Sequence, residues 1–116
     1  MTRTEVARHV AADPASVALL LSGPTAVTMW PDAEDDSMVF RTPMRSGVGF
    51  VVDLSVRDVV AGPARARLSI APGDNPTVTT LRLVVTAVGT STQLRTRAAL
   101  FLDALARCAQ ARSSAA

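Results

Sequence analysis

The closing stretch of the chain, from Thr90 to Arg112, constrains everything before it. Its apolar residues Leu94, Ala98, Phe101, Leu102, Leu105, Cys108 and Ala109 recur at steps of three and four. That spacing puts them on one face of a helix. Arg95, Arg97, Asp103, Arg107 and Arg112 read mainly as the opposite, polar side. Proline is absent and alanine is dense, so helix propensity agrees with the pattern. Thr90 and Gln93 have the spacing of a capping box, in which each side chain reaches the other residue's free backbone N–H. A helix over residues 91–112 would be roughly 30 Å long. An amphipathic rod of that length needs an apolar surface to lie on.

The preceding residues supply one. Residues 3–11 predict a first strand, with Thr4, Val6, Arg8 and Val10 on one face and Glu5, Ala7 and His9 on the other. Asp13 is a natural N-cap and Pro14 suits the first helical position. Val17, Leu20 and Leu21 give that helix an inner face, and Gly23-Pro24 ends it. A second short helix is predicted from Thr25 to Trp30, stopped by Pro31. The acidic stretch 32–36 lacks the glycine and distal glutamate of a calcium loop and reads as a solvated connection.

From Ser37 the period changes to two. Met38, Phe40, Thr42 and Met44 alternate with Val39, Arg41 and Arg45, and Gly47 with Gly49 marks a turn or bulge. Strands over 49–60, 64–71 and 77–88 follow. Ala61-Gly62-Pro63 and Pro72–Pro76 separate them. Phe50, Val52, Leu54 and Val56 share one side; Ala64, Ala66, Leu68 and Ile70, then Leu81, Leu83 and Val85, continue it. The prediction is an α+β domain. About five antiparallel strands pack on a long C-terminal helix, with one or two short helices after the first strand.

Composition narrows the function classes. At 116 residues the chain is expected to be one domain, with 113–116 frayed. No apolar run approaches the roughly 20 residues of a membrane span. No secretory leader is evident, so a cytoplasmic location is expected. Cys108 is the single cysteine, which rules out an intrachain disulfide. The net charge is +2, and all twelve basic residues are arginine. They are scattered along the sequence, with only Trp30, Phe40, Phe50 and Phe101 as aromatic companions. Nucleic acid is therefore not expected as a partner.

Three segments carry a family resemblance. Val6-x-Arg8-x-Val10-Ala-Ala-Asp-Pro-Ala-Ser-Val17 opens the chain, Trp30-Pro31 follows the short helices, and Ala99-Leu-Phe-Leu-Asp-Ala-Leu-Ala106 lies in the closing helix. In these segments and in element order over its whole length, the sequence resembles a small, abbreviated START-like protein, of the polyketide cyclase/dehydrase and lipid-transport (SRPBCC) superfamily. The resemblance implies a helix-grip: a curved antiparallel sheet wrapped around the C-terminal helix, with a cavity between them. It implies binding of lipids, sterols, polyketides or other apolar small molecules, and in some members the cyclisation or dehydration of polyketides. This chain is shorter than the family norm before its last helix.

The residues themselves offer little catalytic chemistry. His9 is the only histidine and falls on the face opposite Val6 and Val10. Cys108 lies on the apolar stripe. No glycine-rich phosphate loop, CxxC pair, HxxxH pair or GxSxG elbow is present. No catalytic residue, metal site or cofactor is therefore assigned. Arg8 and Arg82, charged residues in otherwise apolar strands, are candidates to anchor a ligand. Met29, Trp30, Phe40, Met44, Phe50 and Phe101 are candidates to wall a pocket. The expected function is non-catalytic binding of a small hydrophobic or amphipathic molecule, such as a lipid, quinone or polyketide, between sheet and final helix. The alternatives are a homodimeric interaction protein with a filled core, its sheet packed on a second copy, and a polyketide cyclase or dehydratase working through Arg8, His9 or a strand carboxylate such as Asp53 or Asp58.

Overall fold

A computed structural model describes residues 2–23, 26, 29–31, 38–75 and 77–115. The predicted helix over 25–30 and the acidic stretch 32–36 fall largely or wholly outside them. In chain order the elements are β1 (Thr2–Val10), α1 (Pro14–Leu21), β2 (Met38–Phe40), β3 (Met44–Ser46), β4 (Gly49–Asp58), β5 (Gly62–Pro72), β6 (Thr79–Ala87) and α2 (Leu94–Ala115). The strands form one antiparallel sheet in the order β1-β6-β5-β4-β2, with β3 also paired to β4.

The inward side chains line up in rows across this sheet. One row runs Val6, Leu83, Leu68, Val52; the next runs Thr4, Val85, Ala66, Leu54, Phe40. A third, one step nearer the end of β1, runs Arg8, Leu81, Ile70, Phe50. Because side chains alternate strictly along a strand, the same registers turn Arg57, Arg65, Arg67, Arg82, Ser55, Ser69, Thr80 and Thr86 to the opposite face.

Both helices cover the apolar face. Along α2, Leu94, Ala98, Phe101, Leu102, Leu105 and Ala109 are completely buried, as the helical period predicts. This helix lies over β1 and β6, while α1 covers β4 and β5 and meets α2. Asp13 caps α1 through the Ser16 N–H, and Pro14 occupies its first turn. Thr79 Oγ1 donates to the Ala12 carbonyl at 2.5 Å, fastening the link between β1 and α1 to the sheet. Complete burial contributes about 1.5–3 kcal/mol for each large apolar side chain. The interior is accordingly held by Phe101, Leu68, Ile70, Leu81, Leu83, Leu94, Leu102 and Leu105.

Two local expectations are corrected. The strand expected to run on from Ser37 is two pieces, which makes six strands instead of about five. Phe40 opposes Leu54, but Met44 opposes Val51, so β2 and β3 together carry one residue more than β4 does. The excess falls at Arg41-Thr42-Pro43, where proline removes a ladder donor. It flips Met44 away from the face that Phe40 occupies. The capping box is also replaced: the Ser91 hydroxyl, not Thr90, accepts the Gln93 N–H at 3.2 Å. The Gln93 side chain instead accepts from Arg97 Nη1 at 3.4 Å.

Candidate functional site

Three of the predicted pocket residues meet. Phe101, from the middle of α2, lies with its ring centroid 5.9 Å from Trp30 and 6.3 Å from Phe40. The first pair is tilted and the second nearly parallel, both within the range of favourable ring contacts. Met29 packs half-buried against the same core. Phe40 also opens outward. It lines a depression of about 360 Å³ together with Leu21, Ser22 and Gly23 at the end of α1 and Arg41, Thr42 and Pro43 beyond β2. Phe40 thus stands between a depression of mixed polarity at the rim of the sheet and the buried aromatic layer beneath.

The remaining candidates lie elsewhere. Phe50 and Arg8 sit on the third inward row, toward the other end of the sheet from Asp58. Arg8 Nε donates to Asp103 Oδ1 at 3.0 Å, and both side chains are about two-fifths exposed. Phe50 is half-buried beneath the Arg45 guanidinium, which lies 5.9 Å from its ring centre. Met44 is 62 % exposed. Arg82 projects from the opposite face of the sheet and pairs with Glu5 at 3.1 Å, apart from the aromatic layer.

A buried charged network, absent from the sequence expectations, underlies this layer. Asp58 ends β4 on its inward side and is almost inaccessible, as is Arg97. Arg97 Nε and Nη2 donate to the two Asp58 carboxylate oxygens at 2.5 and 2.6 Å. The Trp30 indole N–H donates to Asp58 Oδ1 at 3.1 Å, and the N–H groups of Val60 and Ala61 donate to Oδ2. Burial alone would push the carboxyl upward. The guanidinium and these N–H donors outweigh it and hold the pKa at about 2. The network therefore remains charged at neutral pH and locks the indole that faces Phe101. Spacing contained the signal for both residues: Arg97 follows Leu94 by three and precedes Phe101 by four, and Asp58 continues the series 50, 52, 54, 56.

No protein-family model matches the sequence, and no curated protein matches it. Solved structures match across nearly its whole length. XoxI from Bacillus cereus has a TM-score of 0.64 at 12% identity, covering 94% of this chain and 96% of its own. The Aha1 dimer from Colwellia psychrerythraea gives 0.58 at 13%, covering 95% and 97%. The di-domain ARO/CYC protein StfQ of the steffimycin biosynthetic pathway gives 0.50 at 14%, over 96% of this chain and 46% of StfQ. The chain has the START-like fold.

Within this START-like frame the polar residues weighed for chemistry are dispersed. His9 is on the outer face of β1, its Nδ1 3.2 Å from the Thr80 hydroxyl. Cys108 is half-buried on α2. Among the described residues no three His, Cys, Asp or Glu side chains group to hold a metal ion. No described helix is long and apolar enough to cross a membrane. Two larger depressions, of about 580 and 550 Å³, lie on the sheet face turned away from the helices. They are lined by valine, alanine and proline as well as by arginine, and lie across the sheet from the aromatic layer.

Proposed function

We propose that the protein binds a small hydrophobic or amphipathic molecule without transforming it, the apolar part entering beside Phe40 toward Phe101 and Trp30. One observation carries this reading: Phe40 belongs both to the open depression at the rim and to the aromatic layer of the core. The START-like fold agrees with it. Binding is favoured over catalysis because the charged groups next to the layer, Asp58 and Arg97, are spent on one another. A general acid or base must instead be free to exchange a proton with substrate.

Trp30 is the only tryptophan, so its emission reports on this site alone. Titration with a fatty acid, a quinone and an aromatic polyketide should give saturable changes in emission for at least one class. The same ligand should raise the melting temperature, since it prefers the native state. Silence in both measurements across all three classes would refute the proposal.

A second reading, self-association, is favoured by the outer edge of β1, unpaired among the described residues, and by the likeness to the Aha1 dimer. Sedimentation showing a monomer at high concentration would remove it.

A further inference from the structure

Strand alternation gathers what the linear sequence scatters. Arg3, Arg57, Arg65, Arg67 and Arg82 all project from the sheet face turned away from the helices, and Arg41 borders it beyond β2. Among the described residues Glu5 and Asp53 are the carboxylates on that face, and both are engaged. Asp53 accepts from Arg67 at 2.8 and 3.3 Å, and Glu5 lies 3.1 Å from Arg82. Arg3, Arg41, Arg57 and Arg65 are left with no ion pair to a described residue.

The two depressions on this face join. Val39, Arg41, Asp53 and Val84 line one, Arg57, Pro63 and Val88 the other, and Ser55, Arg65 and Thr86 line both. The combined groove follows the strands from Asp53 toward Arg57 and from Val84 toward Val88. Past its end lie Val59 and Val60, both about three-fifths exposed. Its floor is apolar and its walls are cationic.

We propose that this groove docks a linear segment of a partner protein that is acidic and partly apolar. Guanidinium forks match carboxylates in two-point contacts, and valine floors take up aliphatic side chains. A second copy fits poorly, since face-to-face packing would set arginine against arginine. Single-stranded nucleic acid fits poorly too. Phe40, Phe50, Phe101 and Trp30 all belong to the inward core. The one aromatic ring on this face, His9, sits beside Thr80, six residues along β6 from the groove residue Thr86, so no ring lines the groove on which a base could stack.

The test uses a fluorescein-labelled peptide of about eight alternating Glu and Leu residues, read by anisotropy at low salt, with affinity expected to fall as salt rises. The double variant Arg57→Glu/Arg65→Glu should weaken binding by about tenfold or more. Arg95→Glu/Arg107→Glu, an equal charge change at exposed positions of α2, should leave binding within about twofold. Far-UV circular dichroism confirms that both variants fold. Failure of the peptide to bind, equal weakening by the two variants, or equal competition by an oligothymidylate of matched charge would each overturn the proposal.

Discussion

Arg97 and Asp58 are 39 residues apart in sequence and meet in the core through two contacts, at 2.5 and 2.6 Å. The pair joins the first turn of α2 to the end of β4. Arg97 also donates to the Ser91 hydroxyl at 3.0 Å, so the segment entering the helix is held by the same side chain.

Breaking such a pair from one side leaves a buried charge without its counter-ion, which costs about 3–5 kcal/mol. Asp58→Asn and Arg97→Met are each expected to lower unfolding free energy by that amount in urea titrations. The double variant Asp58→Asn/Arg97→Met should lose less than the sum of the two single changes, because no charge is stranded and the amide oxygen still accepts from the N–H groups around it. Additive losses would contradict this.

The same pair sets an acid limit. The Asp58 carboxyl titrates at about 2 in the folded protein, against 3.8 when unperturbed. A depressed folded-state value means stability that is fully present above the unfolded value and lost as pH falls toward 2. The difference corresponds to on the order of 2 kcal/mol. Urea midpoints measured between pH 5 and 2 should fall with pH, and the fall should be much shallower in Asp58→Asn. Asp53, held down by its bond to Arg67 at the surface, should contribute far less.

Arg8 and Asp103 form the contrasting case, an ion pair between β1 and α2 that is about two-fifths exposed. Water screens it, so Asp103→Asn should cost under about 1 kcal/mol by the same titration. A loss comparable to that of Asp58→Asn would show that exposure does not govern these pairs.

Phe101 and Phe40 should separate stability from binding. Phe101 is completely buried, and Phe101→Ala is expected to cost about 3–5 kcal/mol through lost contacts and a residual cavity. Phe40 is only half-buried, so Phe40→Ala should cost less while abolishing the ligand-dependent change in Trp30 emission. Retention of that response in Phe40→Ala would place the ligand elsewhere.

Glycine substitutions test the hairpin between β3 and β4. A Cβ on Gly49 would lie 2.1 Å from the Ile70 carbonyl oxygen, so the backbone of β5 would have to move. At Gly47 the added carbon meets open space, and the cost is the left-handed φ of 58°, about 1–2 kcal/mol for an alanine. Thermal unfolding should rank Gly49→Ala below Gly47→Ala.

The sheet and long helix were legible because two periods, two and about three and a half, each run uninterrupted over whole elements. The pairing of Arg97 with Asp58 was missed for a physical reason. Assigning faces by charge sends Arg97 to the polar side of the helix, and Asp58 reads only as a strand carboxylate, while the positions of both in the repeats point inward. Opposite charges on inward positions of two elements can satisfy each other, a relation visible only once Gly89 has brought the helix back over the sheet. Met44 was misplaced because alternation cannot reveal an extra residue that opposes nothing. The arginine groove is a property of register across four strands, and so appears in no single segment.

The surplus residue between Phe40 and Met44 bears on how the molecule keeps to itself. It leaves that margin of the sheet as two fragments of three residues with proline between them, a poor template for zipping onto a neighbouring chain. The opposite margin, Thr2–Val10, runs unbroken over nine residues. If copies of this protein polymerise by sharing a sheet, that border is where the seam will form.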